Sequence, residues 1–237
     1  MNILAIIPAR GGSKGIPDKN LVSLGGRPLI SFSIETAVES NCFCDVIVSS
    51  DSQEILLRSR TINDSIITLE RPPDLATDNA STYDVVKHAL EYYKDVKNCI
   101  PDAVFLLQPT SPIRQVSEII ASCEMFKFSN KKSLISVSPP MQHPSDFIFR
   151  DSGEVKYCFA RDNSLVLRRQ DFVESWFING SIYISDTEFF LNEGVFYTLD
   201  DCELFLMSEE ASVDIDTPFD LLIAETILSK LKSNKLT

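Results

Sequence analysis

Two segments of the sequence hold charged side chains in patterns that could do chemistry. The first runs Ile7-Pro8-Ala9-Arg10-Gly11-Gly12-Ser13-Lys14-Gly15-Ile16-Pro17-Asp18-Lys19-Asn20. Here a short apolar run, Ile3 to Ile7, empties into a loop holding three glycines and three cations. Glycines let successive backbone N–H groups turn toward one point, and such a nest of amides binds phosphate oxygens. Arg10, Lys14 and Lys19 add full positive charge around that point. The chain as a whole is acidic, with 34 Asp and Glu against 22 Lys and Arg, so the local cluster stands apart from its background. The ligand it fits is a polyphosphate. The second segment is Val213-Asp214-Ile215-Asp216-Thr217-Pro218. In an extended backbone Asp214 and Asp216 point to one side, and no cation lies nearby in sequence to offset them. A Mg²⁺ shared with phosphate oxygens would do so. The alternative is that Asp216 caps the helix that follows.

Standard phosphate motifs do not fit the first segment. A Walker A loop needs G-x-x-x-x-G-K-S/T, but Gly15 is followed by Ile16-Pro17, and the dinucleotide fingerprint G-x-G-x-x-G is absent. Composition narrows the field further. The 237 residues, 44% of them hydrophobic, can build a substantial core as one large domain or as one domain with an excursion. A net charge of −12 opposes binding to nucleic-acid polymers. No apolar run approaches the ~18 residues of a membrane helix, and the N-terminal run is too short for a signal peptide. Six cysteines without C-x-x-C spacing suggest free thiols in the cytoplasm. With two histidines, His88 and His143, any metal must be held mainly by oxygen.

The elements that must position these residues alternate between strand and helix patterns, which points to an α/β fold with a parallel sheet covered on both faces. The apolar patterns predict strands at 3–8, 45–50, 103–108, 133–138 and 180–185. They predict helices at 28–40, 52–60, 80–94, 117–128 and 217–231. Residues 139–178 break the rhythm. A stretch of ~40 residues without strong periodicity is uncommon inside a compact domain and reads as a functional flap or docked arm. Its short alternating runs favour small antiparallel strands. The expected division is a core of 1–138 and 179–237 with 139–178 inserted.

Further candidates sit at the ends of these elements. Asp51, after the second strand, either faces a site at the strand C-termini or caps the next helix. In Arg71-Pro72-Pro73-Asp74-Leu75-Ala76-Thr77-Asp78-Asn79-Ala80-Ser81-Thr82, two prolines fix an extended path. Ala80-Ser81 then open a helix whose N-terminal amides suit an acceptor edge. Ser81 or Thr82 could also cap that helix, and Asp78 divides evenly between turn and ligand roles. Gln108 falls at the edge of the third strand, where an uncharged amide can bond a hydroxyl. Arg114, beyond the Thr110-Ser111-Pro112 turn, could pair with a surface carboxylate. Tyr183 combines an apolar ring with a hydroxyl, and core packing is an equal reading for it.

The segment from Ile7 to Asn20 resembles the I-P-A-R-x-G-S-K-G-I-x-x-K-N signature of the cytidylyltransferases that activate sialic acid and related sugars, the acylneuraminate cytidylyltransferase family. The resemblance continues in order through Ser49-Ser50-Asp51, Arg71 to Thr82, Leu106 to Arg114, Asn179 to Ile184 and Asp214-Ile215-Asp216, nearly the whole chain. It implies a Rossmann-like three-layer nucleotidyltransferase fold with a mostly parallel sheet and a small inserted dimerisation arm at 139–178. It implies the reaction CTP plus a 3-deoxy-2-keto nonulosonic acid giving CMP-sugar and pyrophosphate in a homodimer, with Mg²⁺, or Mn²⁺ in its place, on Asp214 and Asp216. By the same resemblance Ala9, Arg10, Asn20, Arg71, Ala80 and Ser81 would bind the nucleotide. Gln108, Arg169, Tyr183, Phe196 and Tyr197 would hold the sugar, Arg169 by meeting its carboxylate. Arg10, Lys14, Lys19 and Asp216 would carry catalysis.

One departure bears on the substrate. After His143-Pro144, where several sialic acid enzymes place a lysine near the sugar, this chain has Ser145-Asp146. The acceptor is therefore open between N-acetylneuraminic acid and bacterial relatives such as legionaminic or pseudaminic acid, with the eight-carbon acid Kdo ranked last. A non-catalytic nucleotide-binding protein on the same scaffold is the reading from another class. Such degenerate binders typically lose a loop cation or a metal carboxylate, and here Arg10, Lys14, Lys19, Asp214 and Asp216 are all present.

Overall fold

A computed structural model describes residues 1–77, 79–158 and 174–234. Its centre is a seven-stranded sheet built from β1 (Ile3–Pro8), β4 (Asp45–Ser50), β5 (Ile67–Glu70), β6 (Ala103–Leu106), β7 (Ser133–Ser138), β10 (Phe177–Asp186) and β11 (Cys202–Leu206). The spatial order is β11-β7-β10-β6-β1-β4-β5. Two short hairpins stand outside it: β2 (Ser23–Leu24) with β3 (Arg27–Pro28), and β8 (Ile148–Asp151) with β9 (Glu154–Tyr157). The helices are α1 (Leu29–Ser40), α2 (Gln53–Ile62), α3 (Thr82–Lys97), α4 (Val116–Phe128), α5 (Thr187–Glu193) and α6 (Pro218–Asn234).

Period-two alternation along β1 explains why the sheet is covered on both sides. Ile3, Ala5 and Ile7 join one buried cluster with residues of α1, α2 and α4. Leu4 and Ile6 join a second with Val86, Ala89, Leu90 and Tyr93 of α3 and Phe190 of α5. The result is a three-layer α/β/α arrangement. A third, smaller cluster contains Ile16, Leu24, Leu29, Phe32, Ile113, Ile215 and Ala224, and lies beneath α6 and the glycine-rich loop.

The sheet is mostly parallel, with one exception. β10 pairs antiparallel with both β6 and β7, opening with Phe177 opposite Ser138, the last residue of β7. The excursion after β7 thus brings the chain back to the edge where β7 ended, and the next strand must run the other way. β10 is also longer than the predicted 180–185, while the third predicted strand ends at Leu106. β5, β11 and α5 were not expected. β5 and β11 are the two edges of the sheet, short and interrupted by Thr, Glu or Cys, so their apolar signal is weak.

Within the excursion, β8 and β9 form an antiparallel hairpin turned at Ser152-Gly153, both with positive φ, 49° and 90°. That backbone matches the twist of two-residue hairpins. Small strands were expected here, and all eight residues of the hairpin are exposed. Among the described residues, no helix is long and apolar enough to cross a membrane, and all six cysteines are free thiols.

Candidate active site

β1 connects through α1 to β4 on one side, while β6 enters on its other side. The strand order therefore reverses between β1 and β6, and open α/β sheets bind ligands in the crevice such a reversal leaves at the strand C-termini. A cavity of about 560 Å³ occupies that place, lined among others by Pro8 at the end of β1 and by Gln108 and Pro109 just beyond β6. Arg10, Lys14, Lys19, Asn20, Arg71, Ala80, Gln108 and Asp216, eight of the expected site residues, line it together.

The loop after β1 is held from three sides. Asn20, buried, donates from Nδ2 to the Arg10 carbonyl at 2.8 Å and ties the two ends of the loop. Asp51 accepts the Gly11 N–H at 2.9 Å. Ser52 accepts from Ile55 N and caps α2, so the cap reading of Asp51 gives way to a role in anchoring the loop. On the third side, Lys19 donates to the Ile215 carbonyl at 3.0 Å and pairs with Asp216 Oδ1 at 2.8 Å. The cation missing near Asp216 in sequence is supplied in space. Gly15 lies against the same segment: a Cβ there would stand 2.2 Å from the Asp216 carbonyl oxygen, so only glycine fits.

Asp216 does not cap α6. Asp220 accepts from Asp216 N at 3.1 Å and from Thr217 N and Oγ1 at 2.7 and 2.8 Å, while Asp220 N donates to Thr217 Oγ1 at 3.3 Å. This reciprocal cap leaves the Asp216 carboxylate directed to Lys19 and the cavity. Partial burial works to raise the Asp220 pKa, but the Thr217 and Asp216 hydrogen bonds outweigh it and hold the carboxyl below its ordinary value.

Ile215, fully buried, separates Asp214 from Asp216. Asp214 is exposed at the surface, yet neighbouring protein displaces part of its water, and that loss raises its pKa. A Thr110 hydrogen bond lowers it, Asp216 raises it, Lys19 lowers it and Asp220 raises it. Thr110 also accepts the Ile215 N–H at 2.8 Å. Sequence reasoning credited Gln108 over its neighbours and missed Thr110, because its partners lie a hundred residues away. Among the described residues no group of three His, Cys, Asp or Glu side chains could enclose a metal. Two hard carboxylates beside a loop rich in cations and glycines nevertheless fit Mg²⁺, which usually takes one or two carboxylates and completes its shell with water and substrate oxygens.

Arg71 is buried; it donates from Nη2 to the Ser49 carbonyl at 2.8 Å and contacts Ser49 Oγ and the Leu75 carbonyl. Burial lowers its pKa, Asp51 raises it and Arg10 lowers it again. Ser81 caps α3, accepting from Asp84 N at 3.0 Å and donating to Asp84 Oδ2 at 2.6 Å, while neighbouring Ala80 and Thr82 line the cavity. Ala9 is buried in the core with its N–H bound to the Ser49 carbonyl.

The expected aromatic residues gather into one cluster. Tyr183 stacks on Tyr197 with centroids 6.3 Å apart and meets Phe196 at 5.8 Å. Phe196 in turn packs on buried Phe190 at 4.9 Å. Burial raises the Tyr183 pKa, and Tyr197 and Asp214 raise it further, so Tyr183 lies within electrostatic reach of Asp214. The core reading holds for Tyr183 and Phe196, which pack partly buried against the sheet cluster; neither they nor Tyr197 line the 560 Å³ cavity. Arg169 and Asp78 lie outside the described residues. Ser145 and Asp146 form a short turn with Pro144, capped by His143. Asp146 lines a different cavity of about 490 Å³ with Trp176, Glu174 and Glu209.

A family profile described as "Cytidylyltransferase" matches residues 4–211. The N-acylneuraminate cytidylyltransferase of Streptococcus agalactiae is 36% identical over 225 residues, covering 94% of this chain and 52% of that protein. This chain thus spans about half that relative's length. The CMP-N,N'-diacetyllegionaminic acid synthase of Legionella pneumophila is 36% identical over 230 residues, 96% of this chain and 97% of its own. Among solved structures, CMP:2-keto-3-deoxy-manno-octonic acid synthetase complexed with CTP superposes with a TM-score of 0.69 at 17% identity, over 97% of this chain and 99% of that one. That last likeness concerns the fold.

Proposed function

Because the chain belongs to the cytidylyltransferase family, we propose that it transfers a cytidylyl group from CTP to a sialic-acid-type nonulosonic acid in the cytoplasm. The products are a CMP-sugar and pyrophosphate. The observation that carries this reading is the meeting of three cations, Arg10, Lys14 and Lys19, with Asp216 and Gln108 in one cavity, the Gln108 amide converging with the Tyr183 hydroxyl over Gly180. Cations and loop amides suit a triphosphate; the aromatic faces and the Gln108 amide suit a sugar ring and its acyl groups.

In this reading the triphosphate lies along the Arg10–Lys19 loop, and the base sits near Arg71, Ala80 and Ser81. The anomeric C2 hydroxyl of the acid, held by Gln108, Tyr183 and Arg169, attacks the α-phosphorus. A C2–O–P bond forms as the bond from the α-phosphorus to the β-phosphate oxygen breaks, and the hydroxyl proton passes to water. Arg10, Lys14 and Lys19 stabilise the charge gathering on the departing pyrophosphate. Asp214 and Asp216 would hold Mg²⁺, or Mn²⁺ in its place, which would supply positive charge and make the sugar hydroxyl more acidic. Fixing both reactants in one cavity provides the remaining acceleration.

N-acetylneuraminic acid or a close bacterial relative is the acceptor we favour. N,N'-diacetyllegionaminic acid is the second reading. It is favoured by the match to the Legionella protein along 97% of that protein's length, and by Ser145-Asp146 where a lysine stands in the sialic acid pattern. Calorimetric titration with CTP, UTP and GTP tests the nucleotide half of the proposal. CTP should bind at least about tenfold more tightly than the others; equal affinities would remove the cytidine assignment.

A further inference from the structure

Arg114 is one of the largest fully buried side chains in the protein, 2% exposed. It donates from Nη1 to the Ser181 carbonyl and, at 3.3 Å, to Ser181 Oγ. From Nη2 it donates to Ser33 Oγ at 2.9 Å and reaches the Gln108 carbonyl at 3.5 Å. Ser33 Oγ itself donates to the Gln108 carbonyl at 3.3 Å, completing a relay from α1 to the end of β6. All these acceptors are neutral; Glu118 acts on the guanidinium only as a distant charge, and burial lowers the Arg114 pKa to about 9. The cost of burying a cation without a close carboxylate is several kcal/mol, so the fork does something that a neutral residue would not.

What it does is visible in β10. Between Ile178 and Tyr183 the pairing with β7 shifts register, and a bulge leaves backbone groups outside the ladder. Side chains take them up. Ser136 Oγ accepts the Ile182 N–H at 2.8 Å, Asn179 Oδ1 accepts the Ser181 N–H at 3.1 Å, and Arg114 takes the Ser181 carbonyl. Gly180, at φ 75°, sits at the top of this bulge; a Cβ on it would lie 3.9 Å from Gln108 Nε2 and 4.0 Å from the Tyr183 hydroxyl. Gln108 and Tyr183 therefore converge over Gly180, and Arg114 grips the carbonyls of Gln108 and Ser181 on either side. Bulges beside sites re-aim side chains. The phosphate loop is fastened by other groups, Asn20, Asp51 and Lys19.

We propose that Arg114 is a positioning residue for the acceptor sugar: its buried fork locks the end of β6 to the β10 bulge and so sets the spacing of Gln108 and Tyr183, without serving the triphosphate. The claim about the sugar rests on the functional reading above; the claim about the lock does not. The test compares wild type with Arg114→Gln, Arg114→Lys and Ser33→Ala. Three readouts are followed: KM for the sugar acid, calorimetric affinity for CTP, and amide hydrogen exchange. Arg114→Gln should raise the sugar KM by about tenfold or more while changing CTP affinity by less than about threefold. Arg114→Lys keeps the charge but cannot span both carbonyls, and should leave most of the KM defect. Ser33→Ala, a mild change should Arg114→Gln fail to fold, should raise the sugar KM by about threefold. Exchange at the Ser181 to Tyr183 amides should quicken by about tenfold in Arg114→Gln, with Gly11 and Gly12 unchanged. Equal losses for sugar and CTP, or a KM defect fully rescued by lysine, would overturn the positioning role. If wild type turns over no sugar acid, the functional reading fails, and exchange alone decides the lock: quickening confined to the bulge supports it, and uniform or absent change refutes it.

Discussion

At the scale of single residues, the carboxylates of the Asp214-Ile215-Asp216 segment have distinct electrostatic positions. Asp216 is 72% exposed and paired with Lys19, so neutralising it leaves the fold intact. Asp216→Asn should unfold within about 2 °C of wild type while losing about 100-fold or more in turnover; near-normal Mg²⁺-dependent turnover would remove its metal role. Asp214 behaves differently, since withdrawal from water raises its pKa. It binds its proton more tightly folded than unfolded, so the stability it lends is present at acid pH and is lost as pH rises through its folded value. At neutral pH the ionised carboxylate therefore costs stability. Asp214→Asn should raise the Tm of the ligand-free protein at pH 7 only slightly, because solvent screens this exposed side chain, with the gain shrinking as the pH falls, while abolishing activity. A lower Tm at pH 7 would contradict the sign. Arg10, Lys14 and Asn20 were legible in the sequence because their cluster is local. The Lys19–Asp216 pair was not, because 197 positions separate its members, nor was the Thr110 contact to Asp214.

At the scale of elements, the site depends on two irregular segments fixed by regular ones. The loop after β1 closes onto the segment before α6 through Gly15, where any side chain meets the Asp216 carbonyl. Gly15→Ala should weaken CTP binding by about tenfold or more with little change in far-ultraviolet circular dichroism; unchanged affinity would mean that the loop tolerates displacement. Strands and helices carrying long apolar periods, β1, β4, β7, α1 and α3, were readable because burial on a defined face imposes the period. The edge strands β5 and β11 were not, since half-covered edges accept polar residues. The β10 bulge was also hidden: it is organised by Ser136, Asn179 and Arg114, groups that no local pattern brings together. Arg114, read as a possible surface partner, is instead buried.

At the scale of the whole molecule, the segment between β7 and β10 is the feature a single chain explains least; Phe177 and Ile178, expected at the end of an excursion over 139–178, pair with β7 as part of β10. The β8–β9 hairpin exposes Ile148 and Val155 at 61% and 57%, beside Phe149 and Tyr157. We propose that this arm docks on a second copy, which would also bring Arg169 to the partner's sugar. Sedimentation should give a dimer, and Ile148→Asp with Val155→Asp should give a monomer with the fold retained; a monomeric wild type would refute the arm's role. The alternation of strands and helices made the three-layer fold legible, and the break in it located the excursion, but surface burial between copies leaves no pattern within one sequence. The central claim, cytidylyl transfer to a nonulosonic acid, is tested most directly by pyrophosphate release with CTP and Mg²⁺. The acids to compare are N-acetylneuraminic, N,N'-diacetyllegionaminic, pseudaminic and Kdo. Release should require CTP and be strong with one of the nine-carbon acids; CTP binding without release from any of them, or release supported equally by UTP or GTP, would contradict the account.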